Sequence, residues 1–234
     1  MTEQRKTSID PITAQEGSPP QNDWQELARQ LRSPSGDEGR KVAVSMNHAN
    51  MEMIVRAFEL SELASDQQLL ELGPGNGAHL QEVMHRWPGI CYTGVEISET
   101  MIHEACTRNQ GLRNIALLMT DGQKLPFGDQ AFDRIITVNT LYFWEEPAVY
   151  AAEIRRVLKT ESGLFCLAFV DDESMEKLPF TAHGFKLYNL ETAGQLLADA
   201  GFVIRGKFSE TGTILSNTGD KIDRTINYIL AGRN

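Results

Sequence analysis

The chain has 234 residues, 41% of them hydrophobic, with a formal net charge of −10 and a pI near 5.0. This length predicts one domain of α/β size, and the acidic balance argues against a nucleic-acid substrate because like charges repel a phosphate backbone. Three widely spaced cysteines without a C-x-x-C pair favour a reducing, cytoplasmic compartment. Neither a membrane-length apolar run nor a signal-peptide core is present, so we expect no membrane partner.

The N-terminal quarter of the chain divides into a tail and a helical segment. Residues 1–21 are polar and proline-containing, which predicts a flexible tail. Residues 22–66 are predicted to form helices. The first runs from Asp23 to Arg32, where apolar residues recur at helical spacing; Ser33–Gly39 is expected to break it, and a second helix is expected from about Val42 to Glu62.

From residue 67 onward, strand-like and helix-like segments alternate, which is typical of a parallel sheet covered by helices on both faces. The strands are predicted at 68–72, 91–97, 115–120, 132–138, 164–170, 202–210 and 225–231. The helices between them are predicted at 78–86, from Glu99 to Arg108 with Ser98 as the cap, from Pro147 onward, and from an Asn189 cap to Gly201.

A glycine-rich turn after the first strand is the most informative stretch. It reads Leu69-Leu-Glu-Leu-Gly-Pro-Gly-Asn-Gly-Ala78. Gly73, Gly75 and Gly77 lack a Cβ, so a ligand can approach the bare backbone closely. The turn also fits the G-x-G-x-x-A dinucleotide fingerprint formally, with Glu96 at a suitable distance, so a nicotinamide cofactor is an alternative at this point.

Polar residues end four successive strands, and the carboxyl ends of parallel strands meet at one edge of a sheet. These residues are Glu71, Glu96, Asp121 and Asn139. Glu96 can accept from both hydroxyls of a ribose, and Asp121 from an exocyclic amine, while the backbone N–H groups of Gly122 and Gln123 can donate to a ring nitrogen. Together they predict a nucleoside site.

The ordered set of motifs resembles the class I S-adenosylmethionine-dependent methyltransferases, in particular the bacterial small-molecule and quinone-type methyltransferases, over about residues 40–232. The matching segments are Glu71–Gly77, Gly94–Ser98 with Met101, Asp121–Phe127 with Ala131–Asp133, Asn139–Trp144 and Glu153–Leu158. The family's usual Lys-Pro-Gly-Gly turn is replaced by Lys159-Thr-Glu-Ser-Gly163, away from the cofactor end of the sheet.

The resemblance implies a Rossmann-like, seven-stranded and mostly parallel sheet with the last strand antiparallel. Residues 67–234 would bind S-adenosylmethionine, and residues 22–66 would form a helical lid. The implied cofactor-binding residues are Glu71, Gly73, Gly75, Asn76, Gly77, Glu96, Ile97, Met101, Asp121, Gly122, Gln123 and Asn139. Charge favours this cofactor over a dinucleotide, because Glu71 would repel a pyrophosphate and Pro74 lacks an N–H donor, whereas a sulfonium is cationic.

The expected reaction is in-line methyl transfer to a small-molecule acceptor, for which alignment and exclusion of water can supply most of the acceleration. Tyr142 and His183 are candidate catalytic bases. The expected acceptor-binding residues are Met46, His48, Tyr142, Phe143, Trp144 and His183. A solvated loop is an alternative for His183, as are a helix surface for His48 and simple packing for the aromatic residues.

Other functions stay open at this point. Asn139-Thr-Leu-Tyr142 also resembles the Asn-Pro-Pro-Tyr motif of nucleic-acid amino-methyltransferases, and a noncatalytic S-adenosylmethionine-binding protein is a further alternative. Asp171 and Asp172 could hold a metal, but two carboxylates without further ligands are more typical of a solvated loop, so no metal is expected. A monomer or homodimer is expected.

Overall fold

The computed structural model describes residues 21–215 and 221–233. The predicted N-terminal tail therefore lies outside the described residues, apart from Gln21, which begins the first helix. No helix within these ranges is both long and apolar enough to cross a bilayer.

A seven-stranded sheet forms the centre of the molecule. Its strands are β1 Gln68–Leu72, β2 Cys91–Glu96, β3 Ile115–Met119, β4 Arg134–Val138, β5 Leu164–Val170, β6 Val203–Leu215 and β7 Lys221–Gly232. Their order is β3-β2-β1-β4-β5-β7-β6. Strands β1 to β5 pair in parallel, whereas β7 runs antiparallel to both of its neighbours. The predicted seven-stranded sheet with its last strand antiparallel is thus confirmed.

Seven helices of the described residues surround this sheet. They are α1 Gln21–Arg32, α2 Gly36–Leu60, α3 Leu80–Arg86, α4 Glu99–Asn109, α5 Pro147–Val157, α6 Asp172–Met175 and α7 Leu190–Asp199. Two short 3₁₀ turns occur at Leu141–Phe143 and Pro179–Ala182.

The predicted helix caps are present in the structure. The Ser98 Oγ accepts from the Met101 N–H at 3.1 Å, and Pro147 occupies the first turn of α5. Asn189 forms a capping box with Thr192, in which each side chain accepts from the other residue's backbone N–H. These short-range signals succeeded because a cap depends on only three or four neighbouring residues.

The predicted bounds differ most from the structure at the break before α2 and in the last two strands. The break predicted at Ser33–Gly39 is shorter, because α2 begins at Gly36, where the extended Ser35 precedes the first turn and Asp37 and Glu38 complement its positive end. The last two strands are longer than predicted, since the β6–β7 ladder continues beyond the predicted bounds through pairs that include polar ones, such as Thr213 with Asp223. Apolar alternation does not reveal such a polar extension.

The core is packed on both faces of the sheet. Every residue of β5 is buried, and so is β1 after Gln68. Helix α2 covers β4 and β5 and contributes Met53, Ala57 and Phe58 to the core. The strand order reverses between β1 and β4, because the chain proceeds from β1 outward through β2 and β3 and then places β4 on the other side of β1. The carboxyl ends of β1, β2 and β4 therefore flank the crevice in which ligands of open α/β sheets bind.

Candidate active site

A cavity enclosing about 1070 Å³, part of it open to solvent, lies at the carboxyl ends of β1, β2 and β4. Helix α2 and the segment around Pro34 cover it. The predicted cofactor-binding residues that line it are Glu71, Gly73, Gly75, Asn76, Glu96, Ile97, Met101, Gly122 and Asn139.

The glycine turn has the backbone conformation that its sequence predicts. Gly73, Gly75 and Gly77 have φ angles of 75°, 56° and 61°, in the left-handed region that favours glycine. A Cβ at Gly75 would meet no atom within 4 Å, so this residue presents bare backbone to the cavity. Gly77 does not line the cavity: its carbonyl accepts from Asn109 Nδ2 at 3.0 Å, which ties the turn to α4.

Glu96 is a buried carboxylate held by three backbone N–H groups. Its Oε2 accepts from Gly75 at 3.0 Å, and its Oε1 accepts from Ile97 at 2.8 Å and from Ser98 at 2.9 Å. Burial raises the pKa of Glu96, and these three hydrogen bonds only partly oppose the shift. Within the described part of the chain it forms no ion pair, so an oriented carboxylate faces the cavity without a cationic partner.

Asn76 is a buried polar residue of the cavity wall whose side chain has no hydrogen-bond partner among the described residues. Its side chain is 1% exposed, and neither Oδ1 nor Nδ2 makes a hydrogen bond to any described residue. A buried amide without partners is costly, by roughly 1–3 kcal/mol, and therefore indicates a bound group that supplies them.

Glu71 belongs to a buried polar cluster that sequence analysis missed. Its Oε2 accepts from the Tyr92 hydroxyl at 2.6 Å and lies 2.8 Å from His79 Nε2. Burial and the adjacent Glu71 charge raise the pKa of Tyr92 far above its usual value. Gly94 pairs with Glu71 across the β1–β2 ladder, and Tyr92 lies two residues earlier on the same face, so strand alternation could have revealed this contact.

The adenine-side residues differ from their prediction. Asp121 and Gln123 are exposed and do not line the cavity, although Gly122 does. The Gln123 N–H, predicted to be available to a ring nitrogen, instead donates to Asp121 Oδ1 at 2.9 Å, and the Lys124 N–H donates to the same oxygen at 3.1 Å. These two bonds lower the pKa of Asp121. The Asp121 side chain therefore stabilises the turn that follows it.

The two predicted bases, Tyr142 and His183, and the predicted acceptor-binding residue His48 do not lie on the cavity wall. Tyr142 is buried, its oxygen accepts from the Val170 N–H at 2.6 Å, and burial raises its pKa well above its usual value. His183 follows the 3₁₀ turn Pro179–Ala182 and lines a second depression, which shares Phe143 with the cavity wall. His48 is exposed, with its Nδ1 2.9 Å from the Val44 carbonyl oxygen. The structure therefore does not bring a histidine to the cavity.

The acceptor side of the cavity is mostly apolar. Of the predicted residues, Met46, Phe143 and Trp144 line it. Asn47, Asn50 and Ile54 of α2 also line it, and sequence analysis missed them. Their spacing along one helical face was the available signal, but it does not show which face meets the sheet.

The described residues include no cluster of three or more His, Cys, Asp or Glu side chains that could hold a metal. Asp171 Oδ2 accepts from Asn227 Nδ2 at 2.6 Å, and Asp172 Oδ2 accepts from Asn189 Nδ2 at 3.1 Å. The carboxylates considered as metal ligands are thus engaged in contacts between loops and strands.

Comparison with known sequences shows that the chain is similar to methyltransferases. A family model described as a methyltransferase domain matches residues 70–166. The chain is 30% identical over 132 residues, 56% of this chain and 52% of the relative, to the ubiquinone/menaquinone biosynthesis C-methyltransferase UbiE of Desulfotalea psychrophila. It is 27% identical over 93 residues, 40% of this chain and 34% of the relative, to the fatty-acid O-methyltransferase of Mycolicibacterium smegmatis. The chain spans about half the length of these relatives or less.

Solved structures share the fold at low sequence identity. A Haloferax volcanii methyltransferase in complex with the activator Trm112 has a TM-score of 0.73 and 17% identity, covering 89% of this chain and 99% of that one. The phosphoethanolamine N-methyltransferase 2 of Haemonchus contortus, solved with S-adenosylhomocysteine, has a TM-score of 0.68 and 13% identity, covering 90% of this chain and 60% of that one. At these identities the likeness shows the fold.

Proposed function

We propose that this chain, a member of the class I S-adenosylmethionine-dependent methyltransferases, transfers a methyl group from S-adenosylmethionine to a small-molecule acceptor. The observation that carries the proposal is Glu96, a buried carboxylate without a cation, oriented by three backbone N–H groups at the switch point of the sheet. Such a carboxylate suits the two hydroxyls of a ribose.

The other cavity residues fit the same cofactor. Asn76 offers an amide with no protein partner, and Gly75 leaves the space that a Cβ would fill. Glu71 lines the cavity with its Oε2 fixed by Tyr92 and His79, so its carboxylate is held where a cationic group can be attracted. When bound, S-adenosylmethionine supplies an electrophilic methyl group on a cationic sulfur.

Backbone hydrogen bonding in the glycine turn argues against a dinucleotide. The Gly73 N–H donates to the Val95 carbonyl at 2.8 Å, the Gly75 N–H to Glu96, and the Gly77 N–H to the Pro74 carbonyl at 3.1 Å. Pro74 has no N–H. The turn thus uses internally the donors with which a glycine-rich loop would hold a pyrophosphate.

The chain's own contribution to the reaction is alignment and exclusion of water. Phe143 and Trp144 after β4 and Met46 of α2 form the apolar wall against which an acceptor would pack. Holding the acceptor in line with the transferred methyl group can supply several kcal/mol of the barrier reduction. The apolar side chains around the acceptor limit the access of water that would compete with it.

Residues 22–66 act as the lid in this proposal. Arg32 pairs with Glu145 at 2.6 Å, Arg40 pairs with Glu104 at 3.0 Å, and the Ser98 hydroxyl donates to the Pro34 carbonyl. These contacts hold α1 and α2 over the sheet end beside Glu96. An exposed ion pair contributes only roughly 0–1 kcal/mol of stability. Such weak contacts suit a segment that must open for ligand exchange.

Calorimetric titration tests the proposal. We expect the purified protein to bind S-adenosylmethionine and S-adenosylhomocysteine but not NAD, and to form S-adenosylhomocysteine in an acceptor screen followed by mass spectrometry. Binding of NAD alone would overturn the proposal. Cofactor binding without turnover of any acceptor would instead identify a noncatalytic binding protein.

A further inference from the structure

We infer that the acceptor presents an oxyanion of the carboxylate type, which is held by the amide N–H groups of Asn50. The inference rests on the proposed function and names the substrate class of the same cavity. It depends on three features of the described residues: the fixed orientation of the Asn50 amide, the cation behind it, and the chemistry of the surrounding wall.

The orientation of the Asn50 amide is set by its neighbours. Arg224 Nη1 lies 3.2 Å from one terminal atom of this amide, and a guanidinium can only donate, so that atom is the oxygen, Oδ1. Asn139 Nδ2 donates to the same oxygen at 3.2 Å. Asn50 Nδ2 makes no hydrogen bond to any described residue, and Asn50 lines the cavity. Its two N–H groups are therefore available to a bound acceptor.

A relay of hydrogen bonds fixes Asn139 in turn. Its Oδ1 lies 3.1 Å from the Tyr142 hydroxyl, whose oxygen accepts from the Val170 N–H at 2.6 Å. Asn139 also has a φ of 57°, a conformation that asparagine tolerates better than most residues. Tyr142 is thus a positioning residue, since it acts through Asn139 on Asn50 and does not reach the cavity.

Arg224 places a positive charge directly behind Asn50. Its Nη2 donates to the Ala49 carbonyl, and across the described ranges no carboxylate lies within ion-pair distance of its guanidinium. The side chain is partly buried, where a cation is poorly solvated and its field is less screened. This charge polarises the Asn50 amide, strengthening its N–H groups as donors to a negative oxygen.

The parts of the wall formed by α2 and by residues 138–144 contain no base. Among the described lining residues, α2 and the segment 138–144 contribute no His, Lys, Asp or Glu. An acceptor that must lose a proton there has no side chain to take it, whereas a carboxylate is already ionised at neutral pH. A protonated amine would face Arg224 with like charge and has no lone pair to attack.

The reaction balances without a base. A carboxylate oxygen forms the new O–CH₃ bond while the S–CH₃ bond breaks, and the electron pair of that bond stays on sulfur. The products are a methyl ester and S-adenosylhomocysteine, and no proton is released. The apolar side chains of Met46, Ile54 and Phe143 suit the hydrocarbon part of such an acceptor.

Three probes of equal chain length test the inference: octanoate, octanol and octylamine, each titrated into protein saturated with S-adenosylhomocysteine. We expect octanoate to bind at least roughly tenfold more tightly than the other two probes, because neither of them offers a negative oxygen to the N–H groups of Asn50. Octanoate that binds no more tightly than octanol or octylamine overturns the inference, whether or not any probe binds. Failure to bind S-adenosylhomocysteine would instead overturn the proposed function.

Substitutions locate the effect at Asn50. Asn50→Asp replaces the donor with a carboxylate that can pair with Arg224, so octanoate affinity should fall at least roughly tenfold while octanol affinity is unchanged. Arg224→Met should lower octanoate affinity alone, and Arg224→Lys should restore most of it. Each variant is first titrated with S-adenosylhomocysteine as a check on folding. Equal losses for octanoate and octanol would indicate a merely structural role and overturn the assignment.

Discussion

Two carboxylates at opposite ends of the sheet are treated differently by the chain. Asp133, beside the amino end of β4, accepts from Lys159 Nζ at 2.8 Å and from the Gln68 N–H at 2.9 Å. Burial alone would raise its pKa, but these partners outweigh burial and lower it. Glu96, at the carboxyl end of β2, is more deeply buried, meets no cation among the described residues, and has a raised pKa. The protein balances the first charge itself, and we propose that it leaves the second for a ligand.

Neighbouring residues repeat this difference. At the amino end, Arg134 donates from Nε to the Ser61 carbonyl at 2.7 Å and from Nη1 to the Ser162 carbonyl at 2.9 Å, which ties two loops together. At the carboxyl end, the amide of Asn76 is buried with no partner among the described residues. In our proposal, the polar groups at the amino end stabilise the fold, whereas those at the carboxyl end lower its stability and bind a ligand.

The largest expected effect is on cofactor affinity. Glu96→Ala removes the carboxylate that would accept hydrogen bonds from the ribose hydroxyls. Because hydrogen bonds to a charged group are worth roughly 1.5–3 kcal/mol, the affinity for S-adenosylhomocysteine should fall roughly tenfold to a hundredfold in calorimetry. Asp133→Ala is the matched control at the other end, expected to lower thermal stability while leaving affinity intact. Similar affinity losses in both variants would contradict the functional difference between the two ends.

A second prediction separates two glycines within the turn. Alanine at either Gly75 or Gly77 would take a left-handed conformation, at a cost of roughly 1–2 kcal/mol. At Gly77 the new Cβ would also lie 2.8 Å from Asn109 Nδ2, whereas at Gly75 it would enter open cavity. Gly77→Ala should therefore cause the larger loss of unfolding free energy in urea, and Gly75→Ala the larger loss of cofactor affinity. The reverse order would show that the turn is oriented differently.

Local patterns were sufficient to predict much of the fold. The apolar runs gave β1 and β5 their observed bounds, and the Ser98 and Asn189 caps placed the starts of two helices. The site was predictable only in part. The glycine turn and Glu96 are read from consecutive residues, but the contact between Asn50 and Arg224 joins positions 174 residues apart. Which histidine or tyrosine meets the cavity depends on tertiary packing, so His183 and Tyr142 could not be placed from sequence.

The smallest expected effect concerns the pH dependence of stability in the cofactor-free protein. Because the pKa of Asp133 is lowered in the folded state, its ionised carboxylate contributes stability at pH values above the unfolded-state pKa, near 3.9. This contribution is lost as pH falls through the folded-state pKa. The advantage of the native protein over Asp133→Asn, about 1 kcal/mol near neutral pH, should therefore shrink in acid.

For Glu96 the sign is opposite. Its raised pKa means that the folded state holds the proton more tightly, so ionisation costs stability as pH rises above about 4.3, the unfolded value. Relative to Glu96→Gln, the native protein should lose stability as pH rises through that window, whereas relative to Asp133→Asn it should gain. Urea melts of the three proteins between acid and neutral pH measure both slopes. Two slopes of the same sign would mean that Glu96 has a counter-charge in solution, and the buried carboxylate would then no longer be reserved for a ligand.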